Sequence, residues 1–302
     1  RFLDNVIDAN YYATPEIEAM TKATRKIGLG VMGFADLLIR LRIGYDTESG
    51  RHVGKTIMGF IRDVADNESE TLAEERGSFP AWGKSDYAES GQKFRNACRL
   101  TVAPTGTISM LADTSSGVEP TFALAWKKMN ILEGETLYYV NKYFQRDAEK
   151  YGFYSESLMD HISNGGSIKS RSDVPDWVKE VYTTATDISP EAHVGMQAAF
   201  QGACDSGISK TINFANDATL EDVYTAYMLA WESACKGITV YRSGSRDKEV
   251  LVKANSDSQP VLQGFEATYG ELEEACCDNA FLIEESGCIT CKSCGWSKCH
   301  IA

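Results

Sequence analysis

The sequence contains two groups of residues whose types and spacing could do chemistry. The first is the run Ala103-Pro104-Thr105-Gly106-Thr107-Ile108-Ser109, which carries three hydroxyl side chains and follows a short β-type run. A glycine lets the backbone approach a ligand closely, and free amides at the start of a helix bind phosphate without a lysine. The run therefore predicts a phosphate-binding loop. The alternative is a Pro-Gly turn capped by threonines.

The second group is a cysteine cluster near the end of the sequence. Six of the nine cysteines lie in the last 27 residues. Cys291 and Cys294 form a CxxC-Gly sequence typical of a zinc knuckle, and a tetrahedral zinc site needs two further thiolates. Because the sequence shows no export signal, the cluster predicts metal or redox chemistry rather than structural disulfides.

The composition is typical of one globular body with a small appendage. Of the 302 residues, 43% are hydrophobic and 24% are charged. The net charge of -13 argues against a nucleic-acid polymer as partner, because polymer phosphates require a basic surface. No apolar run reaches the length of a bilayer span, so we expect a cytoplasmic protein without membrane contact. Because the sequence starts at Arg1 in a helical pattern, it is interpreted as a piece of a longer polypeptide or half of a split protein.

Hydrophobic periodicity predicts an α/β body. Long helices are predicted over Pro15–Arg42, Arg51–Arg76, Glu133–Tyr151 and Pro190–Cys204. Strands are predicted over Ile208–Phe214 and Ile238–Tyr241, with helix-capping residues at 216–219 and a helical pattern between them. A strand, a helix and a strand in this order predict a βαβ unit with parallel pairing.

The run Gly28-Leu29-Gly30-Val31-Met32-Gly33 matches the dinucleotide fingerprint GxGxxG, which requires a strand before it. The residues before it, Ile17–Lys26, are charged and have a helical pattern. We therefore reject dinucleotide binding and expect a helix whose small residues pack closely against a neighbour.

The chain divides into three predicted regions. Residues 1–246 form the body, and residues 273–302 form the cysteine-rich tail. Residues 247–272 lose the periodicity and include a polar run ending at Pro260, which predicts a linker.

Six segments, in order along the chain, resemble the adenosylcobalamin-dependent (class II) ribonucleotide reductases. They are FLDNVIDAN, RKIGLGVMGFADLL, APTGTISM, ADTSSGVEP, GISKTINFANDAT and KGITVYRSGSR, and they span Phe2 to Arg246. The resemblance implies that the body is the second half of a ten-stranded α/β barrel, followed by a linker and a small zinc-ribbon-like tail. It also implies that the run from Ala103 to Ser109 holds the diphosphate of a ribonucleotide substrate.

The same resemblance implies that part of the active site lies outside this chain. The radical cysteine of the family lies on a finger loop with an NPCGE-like sequence, which does not occur here, so that loop is expected before Arg1 and no catalytic residue is assigned. The N-terminal remainder of the reductase is therefore an expected partner, and a homodimer is considered as a further assembly. Adenosylcobalamin is the expected cofactor of the complete enzyme, where it supplies the radical.

Two alternative functions stay open at this point. A class I large subunit would need two adjacent tyrosines where Thr239-Val240-Tyr241-Arg242 stands, and this run has a single tyrosine. The other alternative is a non-catalytic nucleotide-binding or zinc-ribbon interaction module that has lost its chemistry.

In the family, a cysteine-rich tail binds zinc and relays reducing equivalents from thioredoxin or glutaredoxin. The preferred zinc ligands are Cys276, Cys277, Cys291 and Cys294, which leaves Cys288 and Cys299 as the thiol–disulfide exchange pair. The rival zinc set is Cys288, Cys291, Cys294 and Cys299, which leaves the adjacent Cys276 and Cys277 for redox work. A metal-free dithiol carrier on a long tether is a third interpretation.

Overall fold

The computed structural model describes residues 1–131, 135–245, 282–285, 288–291 and 297–299. The chain forms two compact units, Arg1–Ser256 and Asp257–Ala302. The predicted linker, 247–272, lies outside the described residues, so its limits stay a prediction. Among the described residues, no helix combines the length and the apolar character that a bilayer crossing requires.

The described helices of the first unit are α1 (Phe2–Ala9), α2 (Pro15–Thr24), α3 (Phe34–Leu41), α4 (Glu48–Arg76), α5 (Asp86–Ser90), α6 (Gly106–Leu111), α7 (Lys142–Tyr151), α8 (Glu156–Ser163), α9 (Asp176–Val181), α10 (Pro190–Gln201) and α11 (Leu220–Glu232). The strands of this unit are β1 (Ala125–Ile131), β2 (Glu135–Val140), β3 (Thr211–Phe214) and β4 (Thr239–Arg242). Short 3-10 helices cover Trp82–Lys84 and Ile168–Ser170. The described strands of the second unit are β5 (Leu282–Glu285), β6 (Cys288–Cys291) and β7 (Ser297–Cys299).

Four chain segments run parallel, side by side, in the first unit. Leu29 forms a parallel bridge with Leu100, and Val102 forms one with Ile208. Further along the third segment, β3 pairs with β4 in parallel. Parallel neighbours direct their carboxyl ends to one edge, where ligand-binding loops collect. The segment ending at Val102 therefore delivers the following loop to this edge.

A buried apolar cluster fixes the two central segments of this arrangement. Leu100, Val102 and Ile208 pack with residues of α3, α4 and α10, among them Phe34 and Phe200. The rings of Phe34 and Phe200 meet edge to face with centroids 4.9 Å apart. Such packing anchors the start of the loop on a rigid core, because a close-packed interior deforms little.

The prediction of one helix over Pro15–Arg42 is wrong. The helical pattern is split into α2 and α3, and the residues between them include an extended segment in which the amide of Leu29 donates to the carbonyl of Arg99. A Cβ on Gly30 would lie 2.3 Å from the carbonyl oxygen of Thr101, so the glycine allows two backbones to touch. The glycines do pack closely against a neighbour, but in an extended segment rather than in a helix.

The predicted helix over Glu133–Tyr151 is wrong in its first half. Its early residues belong to β2, which pairs antiparallel with β1. The run ETLYYV in β2 is rich in β-branched and aromatic residues, which favour strands. The helix begins only after Asn141, whose side chain accepts hydrogen bonds from the amides of Tyr143 and Phe144.

The predicted βαβ unit is confirmed. The capping box of α11 joins Thr219 and Asp222, and the parallel strands β3 and β4 flank this helix. The predicted end of the second long helix is also confirmed, because α4 stops at Gly77, whose φ is +83°.

Candidate functional site

The run 103–109 forms an exposed loop that turns into the short helix α6. Thr105 lies before α6 with a left-handed φ of +54°, and the first helical hydrogen bond runs from the Ser109 amide to the Thr105 carbonyl over 2.9 Å. Among the described residues, the amides of Gly106, Thr107 and Ile108 have no hydrogen-bond partner. Free amides at the start of a helix carry a partial positive charge. The loop therefore offers three donors to an anion.

The surroundings of Gly106 leave room for a ligand. A Cβ built on this residue would meet no atom within 4 Å. Ala103, Pro104 and Thr107 are also exposed, so the outer side of the loop faces solvent. Because the fold does not require a glycine at position 106, a close approach of a ligand to this backbone is a physical reason for one.

The inner side of the loop rests on a return segment, which we define as residues 113–119. The Gly117 amide donates to Oγ1 of Thr105 over 2.8 Å. The buried Ser109 hydroxyl lies 2.7 Å from the hydroxyl of Ser116, so it is used within the protein. Of the three hydroxyl side chains in the loop, Thr107 is therefore the exposed one that is free to face a ligand.

The start of α3 holds the return segment on its far side. Oδ2 of Asp36 accepts from the Thr114 hydroxyl and from the Ser115 amide, both over 2.9 Å. The Gly33 amide donates to the Ser115 carbonyl over 2.7 Å. The last glycine of the GxGxxG match is thus hydrogen-bonded to the return segment that supports the loop 103–109.

A buried lysine holds the end of the return segment. The Lys210 ammonium has no exposed surface; it lies 3.0 Å from Oε2 of Glu119, donates to Nδ1 of His193 over 2.8 Å, and donates to the Thr211 carbonyl. Burial lowers the pKa of Lys210 from its ordinary value, and the charge of Glu119 opposes this shift. The three acceptors match the three protons of an ammonium group.

His193 is held as the neutral imidazole with its proton on Nε2. Nε2 lies 3.0 Å from the Ala185 carbonyl, which can only accept, so Nδ1 is left to accept from Lys210. Burial, followed by the charge of Lys210, lowers the pKa of His193 to about 3. This ring is therefore a structural acceptor and does not exchange protons near neutral pH.

No role was assigned to Glu119 or Lys210 from the sequence, although the segment ADTSSGVEP contains Glu119 and the segment GISKTINFANDAT contains Lys210. The available signal for Lys210 was a charged residue inside the β-type run ISKTINF, where burial requires a partner. No spacing in the sequence connects it to Glu119, because the two residues are brought together only by the parallel arrangement of the chain.

The chain matches a family model described as the ribonucleotide reductase barrel domain, over residues 1–94 and 90–241. The chain belongs to the ribonucleotide reductase family. A vitamin B12-dependent ribonucleoside-diphosphate reductase of Thermoplasma acidophilum is 47% identical over 259 residues, which cover 86% of this chain and 34% of that protein. A protein of the same description from Mycobacterium tuberculosis (strain CDC 1551 / Oshkosh) is 45% identical over 254 residues, covering 84% and 36%.

The chain also resembles a solved structure. The class Id ribonucleotide reductase alpha subunit of Actinobacillus ureae superposes with a TM-score of 0.68 at 23% identity, covering 80% of this chain and 45% of that one. This likeness shows a shared fold. The chain spans about a third of the length of the two curated relatives named above.

Two of the three cysteines in the body, Cys204 and Cys235, are poor candidates for exchange chemistry. Burial, followed by the charge of Asp205, raises the pKa of Cys204 to about 11. Burial also raises the pKa of Cys235, which packs against an apolar cluster formed around β3 and α11. Thiolate is the reactive form of cysteine, so a raised pKa makes a thiol inert.

The tail cysteines fall partly outside the described residues, namely Cys276, Cys277 and Cys294. In the described part of the tail, β6 pairs antiparallel with β5 and with β7, and Cys288 lies directly opposite Cys299. Cys291 is buried in β6, three residues after Cys288. Within the described residues no group of three or more metal-binding side chains comes together. Neither zinc set is tested by this arrangement, and both stay predictions.

Proposed function

We propose that this chain is the substrate-phosphate half of the barrel of a vitamin B12-dependent ribonucleotide reductase. The observation that supports it best is the exposed loop 103–109, whose amides at 106–108 have no partner among the described residues and which follows the carboxyl end of a parallel segment. The two curated relatives at 45–47% identity carry the vitamin B12-dependent description, which favours this class over a class I large subunit. The single tyrosine of β4 agrees with this choice.

In the proposed function, the loop neutralises and orients the diphosphate of a ribonucleotide. The amides of Gly106, Thr107 and Ile108 donate to phosphate oxygens, and the Thr107 hydroxyl adds a fourth donor. The helix dipole of a six-residue helix is small, so the directed hydrogen bonds carry most of the affinity. The loop supplies binding and orientation, and the radical chemistry belongs to parts of the enzyme outside this chain.

Adenosylcobalamin is assigned to the complete enzyme in this proposal. Two cavities among the described residues are lined by segments other than the phosphate loop. One, beside Leu124 and Ile168, is about 20 Å³, which is far too small for a corrin ring. The other, about 380 Å³, is lined by the charged side chains Arg62, Asp205 and Lys236. Neither of these two cavities among the described residues fits a corrin ring, so the proposal places no residue of this chain on the cofactor.

The tail is proposed as the redox relay, with Cys288 and Cys299 as the exchange pair for thioredoxin or glutaredoxin. Directly opposed residues of antiparallel strands have Cα atoms about 4.5–5.5 Å apart, which lies within the range of disulfides. The zinc set proposed beside this pair is the preferred one, Cys276, Cys277, Cys291 and Cys294.

The phosphate loop is tested by titrating the chain with inorganic pyrophosphate and with a ribonucleoside diphosphate in a calorimeter. Gly106→Val places a branched side chain in the open space over the amides, so we expect at least about a tenfold loss of affinity. Gly59→Val is the matched control, because its Cβ also meets nothing within 4 Å but lies in α4. Equal affinity of the two variants for pyrophosphate would contradict the proposed site.

The reductase activity is tested by complementation. The chain is mixed with an N-terminal part that carries the finger loop, together with adenosylcobalamin and a dithiol. We expect deoxynucleotide to form only when both parts are present. A folded, nucleotide-binding mixture without product would favour the non-catalytic module.

A further inference from the structure

The side chain of Lys210 is buried, and it has no direct contact with the proposed phosphate site. Its ammonium has acceptors on three separate segments: Glu119 at the end of the return segment, His193 in α10, and the carbonyl of Thr211 at the start of β3. Replacing a buried ion pair by well-packed apolar residues is often neutral or stabilising. Unlike an apolar side chain, the ammonium also fixes the orientation of each of its hydrogen-bond acceptors.

The partner that matters for the loop is Glu119. Both of its carboxylate oxygens are engaged: Oε2 faces Lys210 at 3.0 Å, and Oε1 accepts from the Thr211 amide over 2.7 Å. The Glu119 side chain keeps 23% of its surface exposed, so it has room to turn toward solvent when one partner is removed. Lys210 is thus one of the two partners that hold this carboxylate inward.

Val118 and Gly117, the two residues before Glu119, connect it to the loop 103–109. The Val118 carbonyl accepts from the buried Tyr45 hydroxyl over 2.5 Å. The Gly117 amide donates to Oγ1 of Thr105, the residue immediately before the open amides. A Cβ on Gly117 would lie 3.1 Å from the Ala103 carbonyl, so this part of the return segment lies against the loop backbone.

We propose that Lys210 is a positioning residue for the phosphate loop, and that it acts through Glu119 and the return segment on Thr105. The inference rests on the proposed function, because it assigns Lys210 a role in pyrophosphate binding without contact to the ligand. Removing the ammonium loosens the return segment, so the three amides no longer point to one place. Preorganised donors bind an anion more tightly because no ordering is needed on binding.

The test compares wild-type chain with Lys210→Met, Glu119→Gln and the double variant. Lys169→Met is the matched control, because it removes a lysine that donates to the Asp187 carbonyl in another part of the chain. Amide hydrogen exchange, followed by NMR without ligand, reports on the Gly117 amide, and calorimetry gives the affinity for inorganic pyrophosphate. Exchange of amides in α7, whose buried residues belong to another apolar cluster, monitors global stability.

We expect Lys210→Met and Glu119→Gln each to speed exchange at Gly117 and to weaken pyrophosphate binding by about tenfold, the usual effect of losing a hydrogen bond to a charged group. The double variant should lose no more than either single variant, because both remove the same link. A merely structural lysine would instead speed exchange in α7 as much as at Gly117.

Unchanged exchange at Gly117 in the Lys210→Met variant overturns the inference, whatever the wild-type chain binds. If Lys210→Met does not fold, the half-buried Glu119→Gln decides by the same two measurements. Wild-type chain that shows the expected exchange pattern but binds no pyrophosphate would refute the proposed function and leave the positioning link intact.

Discussion

Individual charged residues in the interior of this chain are held by several partners each. Asp4 has no exposed surface and accepts hydrogen bonds from Arg25, Arg76, Arg95 and the side-chain amide of Asn96. Burial raises the pKa of Asp4, but the hydrogen bonds and charges of Arg25 and Arg95 outweigh burial, so the net shift is downward. This carboxylate joins α1 to α2, α4 and the segment before Leu100.

Asp4→Ala should reduce the free energy of unfolding by about 3–5 kcal/mol, because it removes the buried carboxylate that pairs with Arg25, Arg76 and Arg95. Asp8→Ala is the control, since Asp8 binds the same Arg25 but is half exposed, and its loss should be much smaller. Urea unfolding followed by circular dichroism measures both. Equal losses of unfolding free energy in the two variants would show that burial of the Asp4 carboxylate does not determine its contribution to stability.

The buried His193 should make the free energy of unfolding depend on pH. Its pKa in the folded chain is about 3, below the ordinary value of 6.5, so the unfolded chain binds a proton that the folded chain does not. Stability contributed by the neutral ring is complete above the ordinary value and is lost as the pH falls toward 3, by at most about 1.4 kcal/mol per pH unit.

His193→Gln should flatten this dependence, because an amide side chain offers an acceptor to Lys210 and a donor to Ala185 without titrating. The measurement is the free energy of unfolding at several pH values between neutrality and pH 4 or so. His52→Gln, at an exposed position, is the control and should keep the wild-type slope. A His193→Gln variant with the wild-type slope would rule out this ring as the cause.

At the scale of elements, the proposed phosphate loop follows directly on the segment whose Leu100 forms a parallel bridge with Leu29. Gly30 allows this contact, because its Cβ would lie 2.3 Å from the Thr101 carbonyl oxygen. Backbone atoms cannot move aside as a side chain can, so the segments themselves would have to separate.

Gly30→Ala should therefore destabilise the chain by about 1–3 kcal/mol, the usual effect of overpacking a core. Gly59→Ala, in the interior of α4 with open space around its Cβ, should instead stabilise it by about 0.5–1 kcal/mol through helix propensity. Thermal unfolding of the two variants checks the opposite signs. A stabilising Gly30→Ala would mean that the parallel pairing is looser than described.

At the scale of the whole molecule, the proposed function assigns phosphate binding and the redox relay to this chain. It assigns the radical chemistry to parts of the enzyme outside this chain. The phosphate loop belongs to the first unit, and the proposed relay cysteines belong to the second. In the complete reductase, Cys288→Ser or Cys299→Ser should reduce turnover with thioredoxin to background. Turnover with a small dithiol should persist, because a small reductant reaches the active-site disulfide without a relay.

Cys235→Ser is the control for that experiment, because this half-buried thiol in the body has a raised pKa. It should leave turnover with either reductant unchanged. Loss of turnover with the small dithiol in Cys288→Ser would assign the residue to structure or metal binding instead of relay. Zinc analysis of Cys291→Ser and Cys288→Ser then separates the two zinc sets.

The sequence by itself determined the family, the βαβ unit at β3, α11 and β4, and the position of the loop at 103–109, because these depend on local motifs, caps and periodicity. Only the tertiary structure decided that the glycine run at 28–33 is extended and that β2 replaces the start of a helix. It also decided that Lys210 meets Glu119, which lies 91 positions earlier in the sequence. A segment departs from its local helix or strand propensity where pairing with a distant segment lowers the free energy more. No short-range sequence pattern identifies that distant partner.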